Sequence, residues 1–201
     1  GHVVIAGFGR FGQITARVLG ARGIPFIALD NSPEQVDLVA RFGSRAYFGD
    51  ASRLHILEAA QTRKARAFVL AIDDVEASMR TAEIVRRHFP DVPVFARARN
   101  RQHAHRLMDL GVKHIRRETF LSALDLTREV LGGLGFSNAE VTGMTDAFRR
   151  HDEQRLFEDY ADYADQQKLQ VKARKYQEEL VDLFKQDAAG LGGETPEDGK
   201  G

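Results

Sequence analysis

Six residues near the start of the chain combine residue types and a spacing that suit the binding of a phosphate group. The loop Gly7-Phe8-Gly9-Arg10-Phe11-Gly12 follows the β-branched run His2–Ala6 and precedes a segment whose apolar residues recur at helical spacing. In such a loop Gly7 permits a tight turn, Gly9 lets a phosphate approach the backbone, and Gly12 lets the helix pack on the strand. The exposed N–H groups and the helix dipole then attract the anion. The loop therefore predicts a phosphate site for a nucleotide.

Acidic residues follow the next predicted strands, at the edge where a parallel sheet binds its ligands. Asp30, followed by Asn31, ends the second strand near the spacing at which a carboxylate contacts a ribose 2′-hydroxyl. Because a carboxylate there repels a 2′-phosphate, the position favours NAD or AMP over NADP. Asp50 and the small Ala51 follow the third strand. Asp50 either contacts the nucleotide or caps a helix that begins near Ser52.

Two further groups at this edge have more than one reading. Asp73-Asp74 closes the fourth predicted strand, where Asp73 can face the nucleotide crevice. For the pair, capping of the next helix is favoured over a metal site, which needs more carboxylates. Arg97 and Arg99 alternate at the end of the fifth strand. They either meet a phosphate or pair with carboxylates.

The remaining composition excludes several kinds of chemistry. The 201 residues include no cysteine, which excludes disulfides, thiolate metal sites and a cysteine nucleophile. The seven histidines form no HxxxH or HExxH pattern, and no serine stands in a nucleophile elbow. The 29 basic residues balance the 29 acidic residues, so no overall field attracts nucleic acid. We therefore predict no catalytic residue, no metal ligand and no nucleic-acid partner.

Strand-like and helix-like segments alternate through the first part of the chain. The predicted strands are His2–Ala6, Pro25–Asp30, Ala46–Phe48, Ala67–Ile72, Pro93–Ala98 and Val112–Ile115. This alternation predicts an α/β fold with a doubly wound, parallel, six-stranded Rossmann sheet and a C-terminal helical extension. Residues 1–117 would form the nucleotide-binding domain.

The alternation ends after this point. Phe120–Leu131 predicts a helix that breaks at Gly132-Gly133. Residues 118–189 are predicted to form a helical arm that packs on the sheet domain or on a partner chain. Residues 190–201 are rich in glycine and polar side chains, which predicts a disordered tail.

Five separated motifs stand at the predicted strand ends: GFGRFG (7–12), ALD (28–30), FGDA (48–51), AIDD (71–74) and ARAR (96–99). Together they resemble the KTN/RCK (TrkA-N) domains that regulate potassium channels and transporters. The opening HVVIAGFGRFGQ, RRETF at Arg116–Phe120 and FRR at Phe148–Arg150 resemble more closely the cytosolic C-terminal domain of Kef-type glutathione-gated potassium efflux systems. The resemblance covers residues 2 to about 155.

The resemblance implies an assembly and its ligands. Family members form a homodimer beneath a membrane antiporter domain, fused or associated, at the cytoplasmic face of the inner membrane, so residues 118–189 would be a dimerisation and regulatory arm. AMP or NAD(H) is expected in the glycine-loop site, and glutathione or a glutathione conjugate in a second, regulatory site. An ancillary oxidoreductase-like subunit assists some members.

The resemblance also assigns residues to the glutathione-type site. Arg17 and Arg117 align with arginines that contact glutathione, and each guanidinium can grip a carboxylate bidentately. Phe42 aligns with the phenylalanine that moves when an adduct binds. Asp152 stands where the family has a ligand-binding asparagine. A carboxylate that repels an anionic peptide thus replaces an amide donor.

The function implied by the resemblance is a ligand-sensing regulatory domain of a bacterial potassium efflux (K⁺/H⁺ antiport) system, with no chemistry of its own. One alternative is an NAD-dependent oxidoreductase, which would need a substrate domain presenting a catalytic acid or base. Another is a free-standing TrkA-like subunit of a potassium transporter. The abrupt start at Gly1-His2 favours a fragment of a fused protein over the free-standing subunit.

Overall fold

The computed structural model of the chain describes residues 1–41 and 45–163, together with residues 176, 179–182 and 184. Its contacts divide the chain into two compact units, Gly1–Glu118 and Thr119–Gly201. Phe42 and the predicted tail at 190–201 lie outside the described residues. In the part of the chain that is described, no helix combines the length and apolar composition that crossing a bilayer requires.

The first unit contains a single sheet of parallel strands: β1 (Val3–Ala6), β2 (Phe26–Asp30), β3 (Arg45–Phe48), β4 (Ala67–Leu70), β5 (Val94–Ala98) and β6 (His114–Arg117). The six strands lie in the order β3-β2-β1-β4-β5-β6. In β1, Val3 pairs with Phe26 on one side and with Ala67 on the other. The strand order therefore reverses between β1 and β4, which is where a doubly wound sheet forms its ligand crevice. The predicted fold class is confirmed.

Helices connect the strands: α1 (Arg10–Ala21), α2 (Pro33–Arg41), α3 (Leu54–Ala59), α4 (Val75–His88) and α5 (Arg101–Asp109). Two of them begin at side-chain caps. Asp74 accepts a hydrogen bond from the N–H of Ala77, and Asn100 accepts one from the N–H of His103. The predicted capping role of Asp74 is confirmed. Each cap stands in the short connection between a strand and its helix, β4 to α4 or β5 to α5, at the ligand edge of the sheet.

The core of this unit forms because β1 is flanked on both sides and covered on both faces. Val4, Ile5 and Ala6 are fully buried, as are Leu29 and Phe68 on the neighbouring strands. This continuous apolar burial is typical of a central parallel strand. The loops at the carboxyl edge of the sheet are therefore attached to buried, tightly packed strands.

The sixth strand lies two residues later than predicted, at His114–Arg117. Val112 is buried, which made its segment strand-like, but its N–H donates to the carbonyl of Leu107 and so closes the turn after α5. Burial in a helix-ending turn thus looked like burial in a strand. The shift brings Arg116 and Arg117 into β6.

The second unit begins with α6 (Phe120–Gly133), followed by α7 (Asn138–Glu158) and a short 3₁₀ turn, Asp159–Asp162. The predicted end at Gly132-Gly133 is confirmed, because α6 ends at Gly133, with Leu134 as its C-cap. Gly135 follows the C-cap with φ 95°. The N–H of Phe136 donates to the carbonyl of Leu131, and that of Gly135 to Gly132, which is the usual glycine-terminated helix end.

The two helices of this unit are joined mainly by polar contacts. Arg128 on α6 donates to Thr145 at 2.9 Å and to Asp146 at 2.9 Å on α7. Phe120 and Phe148 stack with their ring centroids 6.2 Å apart. Ser137 and Glu140 form a reciprocal capping box at the start of α7. Partly exposed polar contacts of Arg128 and the stacked rings thus join α6 to α7, beside the buried Leu124 and Val141.

Candidate nucleotide-binding site

A cleft of about 380 Å³ opens at the carboxyl edge of the sheet, at the crevice between β1 and β4. It is lined by residues from five strand-to-helix connections: Gly7, Gly9, Leu29, Asp30, Asn31, Gln35, Gly49, Asp50, Ala51, Ala71, Ile72, Asp73, Asp74, Ala77 and Arg97. The structure thus brings together all but four of the residues predicted for the nucleotide. Those four, Phe8, Arg10, Phe11 and Gly12, belong to the glycine loop but do not line the cleft.

The glycine loop has a geometry that larger residues could not adopt. Gly7 has φ +91°, and a Cβ there would lie 2.7 Å from the backbone of Ala71 and Ile72. A Cβ at Gly12 would lie 2.1 Å from the carbonyl oxygen of Gly7. A Cβ at Gly9 would meet nothing within 4 Å, so the backbone there faces open space. A ligand can therefore reach the main chain at Gly9, while Gly7 and Gly12 set the turn and the packing.

The start of α1 is suited to an anion. Gly9 is the N-cap, it provides no side-chain cap, and no acidic residue stands in the first turn. The leading N–H groups of an α-helix have no acceptor inside the helix, and they carry the positive end of its dipole. A phosphate fits this position because it supplies the missing acceptor and the opposite charge.

Asp30 connects the glycine loop to the end of β2. Its Oδ2 accepts a hydrogen bond from the N–H of Phe8 at 2.6 Å, and its Oδ1 accepts one from the N–H of Ser32 at 2.8 Å. Each carboxylate oxygen retains a second lone pair. Asp30 therefore holds the loop in place and can still accept a bond from a hydroxyl of a ligand.

Asp50 has a similar role at the next strand end. Its Oδ1 accepts a hydrogen bond from the N–H of Ser52 at 2.9 Å. The proposed cap of a helix beginning near Ser52 is wrong, because α3 begins at Leu54 and its N-cap is Arg53. Burial raises the pKa of Asp50, but the hydrogen bonds from Ser52 and the charges of Arg53 and Arg80 outweigh it and leave the pKa below its ordinary value. Asp50 is therefore a carboxylate at neutral pH.

Arg97 is the one cation among the described residues that line the cleft, and it pairs with two carboxylates. Its Nε donates to Glu118 Oε2 at 2.6 Å, and its Nη2 donates to both Asp73 and Glu118. Its Nη1 donates to the carbonyl of Ala71 at 3.2 Å. Of the two predicted roles for Arg97, pairing with carboxylates is the one observed. Arg99 is exposed, and its N–H donates to the ring of His103.

Gln35 is a cleft residue that the sequence analysis missed. The side-chain amide of Gln13 donates to the carbonyl of Phe8 at 3.1 Å and to Gln35 Oε1 at 2.9 Å. Because its oxygen is engaged, Gln35 can present its amide N–H groups to a ligand. A signal existed, since Gln35 lies in the first turn of the helix after β2, as Ala77 does after β4.

The residues predicted for glutathione lie in different places. Arg17 is exposed on α1 and lines a second groove of about 310 Å³ with Phe8, Gln13, Ala16, Gly20, Ala21 and Phe26. Arg117 is half-buried at the end of β6 and is not among the residues lining that groove. Asp152 is buried in α7 of the second unit. Phe42 lies outside the described residues.

Comparison with known proteins agrees with this geometry. Residues 3–117 match the TrkA-N domain, and residues 122–198 match the potassium efflux system KefB C-terminal domain. Over 190 residues, or 94% of its length, the chain is 37% identical to the glutathione-regulated potassium-efflux system protein KefC of Cronobacter sakazakii. The chain spans 31% of the length of that relative.

Solved structures show the same fold. The Kef C-terminal domain of Shewanella denitrificans in its AMP-bound form is 39% identical, with a TM-score of 0.74, covering 80% of this chain and 98% of that one. The TrkA-N domain of Escherichia coli ybaL, at 24% identity and a TM-score of 0.58, covers 66% of this chain and 96% of its own. The chain therefore belongs to the TrkA-N family, and its two parts together match the C-terminal domain of Kef-type systems.

The contact between Gly12 and Gly7 yields a stability test. Gly12→Ala should lower the free energy of unfolding by about 3 kcal/mol or more, the upper range for overpacking, because its Cβ meets backbone at 2.1 Å. The matched change is Gly20→Ala on the same helix, where a Cβ meets nothing within 4 Å. Gly20→Ala should raise the free energy of unfolding by about 0.5–1 kcal/mol. Urea unfolding of both proteins measures the difference, and equal stabilities would contradict the packing described.

Proposed function

We propose that this chain is a ligand-sensing regulatory domain that holds an adenine nucleotide without converting it. The proposal rests on one observation: the carboxylates of the cleft form hydrogen bonds and an ion pair within the protein. Asp30 and Asp50 accept backbone N–H groups, Asp74 caps α4, and Asp73 pairs with Arg97. These groups keep the cleft in shape, and none is arranged as an acid–base pair with another. This supports a binding role over the oxidoreductase alternative.

AMP is the nucleotide that the cleft favours. Four carboxylates line it (Asp30, Asp50, Asp73 and Asp74), and the charge of Arg97 is already neutralised by Asp73 and Glu118. Each additional phosphate would therefore add repulsion. The volume of about 380 Å³ is at the low end for small-molecule sites, which suits a mononucleotide. NAD(H), whose nicotinamide half adds one further phosphate, is the second candidate.

Asp30 provides the test of this site. Removing it in Asp30→Ala should weaken AMP binding by at least about tenfold, because the charged acceptor that shapes the loop and meets the ribose is lost. Isothermal titration calorimetry with AMP, ADP, ATP, NADH and NADP measures the affinities, which should fall as phosphates are added.

Asp37→Asn is the matched control, since Asp37 is an exposed carboxylate on the same helix as Gln35. It should bind AMP as the unaltered protein does. Failure of the unaltered protein to bind any adenine nucleotide would contradict the proposed function. Unchanged affinity in Asp30→Ala would contradict only the role of Asp30.

We further propose that the domain acts on a potassium efflux antiporter at the cytoplasmic face of the inner membrane. The name of the KefC relative, a glutathione-regulated potassium-efflux system protein, supports the link to potassium efflux. Gating would follow from unequal affinity of a ligand for the open and closed states. Glutathione or its S-conjugates are the proposed signal, gripped by Arg17 and Arg117. Asp152 would weaken that grip, because it places a carboxylate where an amide donor would help.

Titration of S-hexylglutathione into the AMP-saturated protein tests this signal. Arg17→Ala and Arg117→Ala should each weaken binding by about tenfold or more, the loss expected for a charged hydrogen bond. Asp152→Asn should strengthen it, because the repulsion is removed and a donor is gained. Arg22→Ala, which removes an exposed arginine just beyond α1, is the control. Absence of S-hexylglutathione binding together with normal AMP binding would overturn the glutathione proposal alone.

The proposed dimer has a candidate surface on α6. Leu126 and Val130 on α6 and Leu134 at its C-cap recur at intervals of four, so they lie in one row, and they are 62%, 54% and 71% exposed. Three large apolar side chains in one exposed row favour contact with another apolar surface. We propose that a second copy of this chain covers the row.

Sedimentation velocity tests the dimer. Leu126→Asp combined with Leu134→Asp should convert the dimer to a monomer, because two charges would be buried without partners. Phe157→Asp, which changes an equally exposed apolar residue on α7, should leave the dimer intact. A monomeric unaltered protein, or dissociation by both sets of changes, would contradict the assignment of this row.

A further inference from the structure

Arg97 lies where three parts of the first unit meet. Its side chain is only 8% exposed, yet it lines the nucleotide cleft. Its guanidinium bonds to Ala71 and Asp73 after β4, and to Glu118 after β6. The guanidinium carbon lies 5.9 Å from the ring centroid of Phe11, in the first turn of α1. One buried cation therefore contacts the glycine loop and the ends of the strands on both sides of its own.

The two carboxylates that share Arg97 differ in their surroundings. The side chain of Asp73 is 68% exposed and lines the cleft, so a bound ligand would cover it. The side chain of Glu118 is 23% exposed and does not line the cleft. The N–H of Glu118 donates to the carbonyl of Ala98 at 3.0 Å, which continues the pairing of β5 with β6. The same nitrogen, Nη2, donates to both carboxylates.

We propose that Arg97 is a positioning residue that couples occupancy of the nucleotide cleft to the end of β6. A nucleotide in the cleft fixes Arg97 and thereby fixes Glu118 and the adjoining Arg117. This inference rests on the proposed nucleotide-binding function and adds a regulatory connection to it. The connection joins the cleft to the arginine proposed to grip glutathione.

The sign of the coupling follows from the dielectric environment. A ligand that covers Asp73 removes water from the cleft side of Arg97, and an ion pair is stronger where water is excluded. Arg97 is also held in one rotamer by the filled cleft, so less freedom remains to be lost when it binds Glu118. Nucleotide binding and the Arg97–Glu118 pair should therefore strengthen each other, and the effect must be reciprocal.

Because the coupling is reciprocal, a change at Glu118 should alter the affinity for AMP although Glu118 does not line the cleft. Glu118 is therefore the residue to change. We would measure the AMP affinity by calorimetry for the unaltered chain, Glu118→Gln, Arg97→Gln and the double variant. Glu118→Gln should weaken AMP binding about fivefold, at the low end of ordinary coupling effects. In the Arg97→Gln background the same change should have no further effect, because the connecting cation is gone. Glu83→Gln, an exposed carboxylate on α4, controls for the loss of one negative charge and should bind as the unaltered chain does.

Amide hydrogen exchange gives a second test. If Arg97 had only a structural role, AMP would not change the exchange rates at the end of β6. AMP should slow amide exchange at residues 115–118 in the unaltered chain and fail to do so in Arg97→Lys, which keeps the charge but cannot donate to two carboxylates in a fork. If thermal unfolding shows that Arg97→Gln is not folded, Arg97→Lys replaces it in the cycle.

The outcomes separate the two proposals. Equal or tighter AMP binding by Glu118→Gln than by the unaltered chain overturns the coupling and leaves nucleotide binding in place, tighter binding being the result expected if Glu118 only neutralises Arg97. Additive effects of Glu118→Gln and Arg97→Gln overturn it as well. No AMP binding by the unaltered chain overturns the proposed function and this inference together.

Discussion

The close approach of Gly12 to the carbonyl oxygen of Gly7 is the contact on which the rest of the nucleotide unit depends. A Cβ at Gly12 would lie 2.1 Å from that oxygen, so the first turn of α1 rests directly on the end of β1. Because β1 is the buried centre of the sheet, this turn cannot shift without disturbing the core. The N–H groups at the start of α1 are consequently fixed at the crevice between β1 and β4.

Carboxylates then fix the loops around the turn by accepting backbone N–H groups. Asp30 does so for Phe8 and Ser32, and Asp50 does so for Ser52. A loop N–H that lacks an acceptor costs free energy once it is removed from water, so these bonds stabilise the connections. The same residues leave negative charge around a site for an anion. The cleft therefore combines a positive helix end with acidic walls, and the proposed preference for AMP rests on this combination.

The sequence predicted the sheet well because its strands are short apolar runs between glycines and acidic residues, and such runs are buried in a parallel sheet. It located the cleft residues at the strand ends for the same reason. What it could not show were contacts between residues distant in the chain. The partner of Arg97 at Glu118 lies 21 positions away and depends on the register of β5 against β6. The end of α6 was correctly predicted at Gly132-Gly133, but the backbone bonds that close it, from Gly135 and Phe136, could not be read from composition.

Phe8 and Gln13 make the nucleotide cleft and the groove beside Arg17 neighbours with a shared wall. Both side chains line the groove, while the backbone N–H of Phe8 is held by Asp30 and its carbonyl by Gln13. Gln13 also bonds to Gln35, which lines the cleft. Any ligand that moves the glycine loop must therefore disturb Phe8, which is almost fully buried against Phe26 with a centroid distance of 6.3 Å. Packed aromatic rings resist small displacements, so a shift of Phe8 would have to be shared by its neighbours. In the proposed function, this shared wall is the route by which a ligand in the groove would act on the glycine loop.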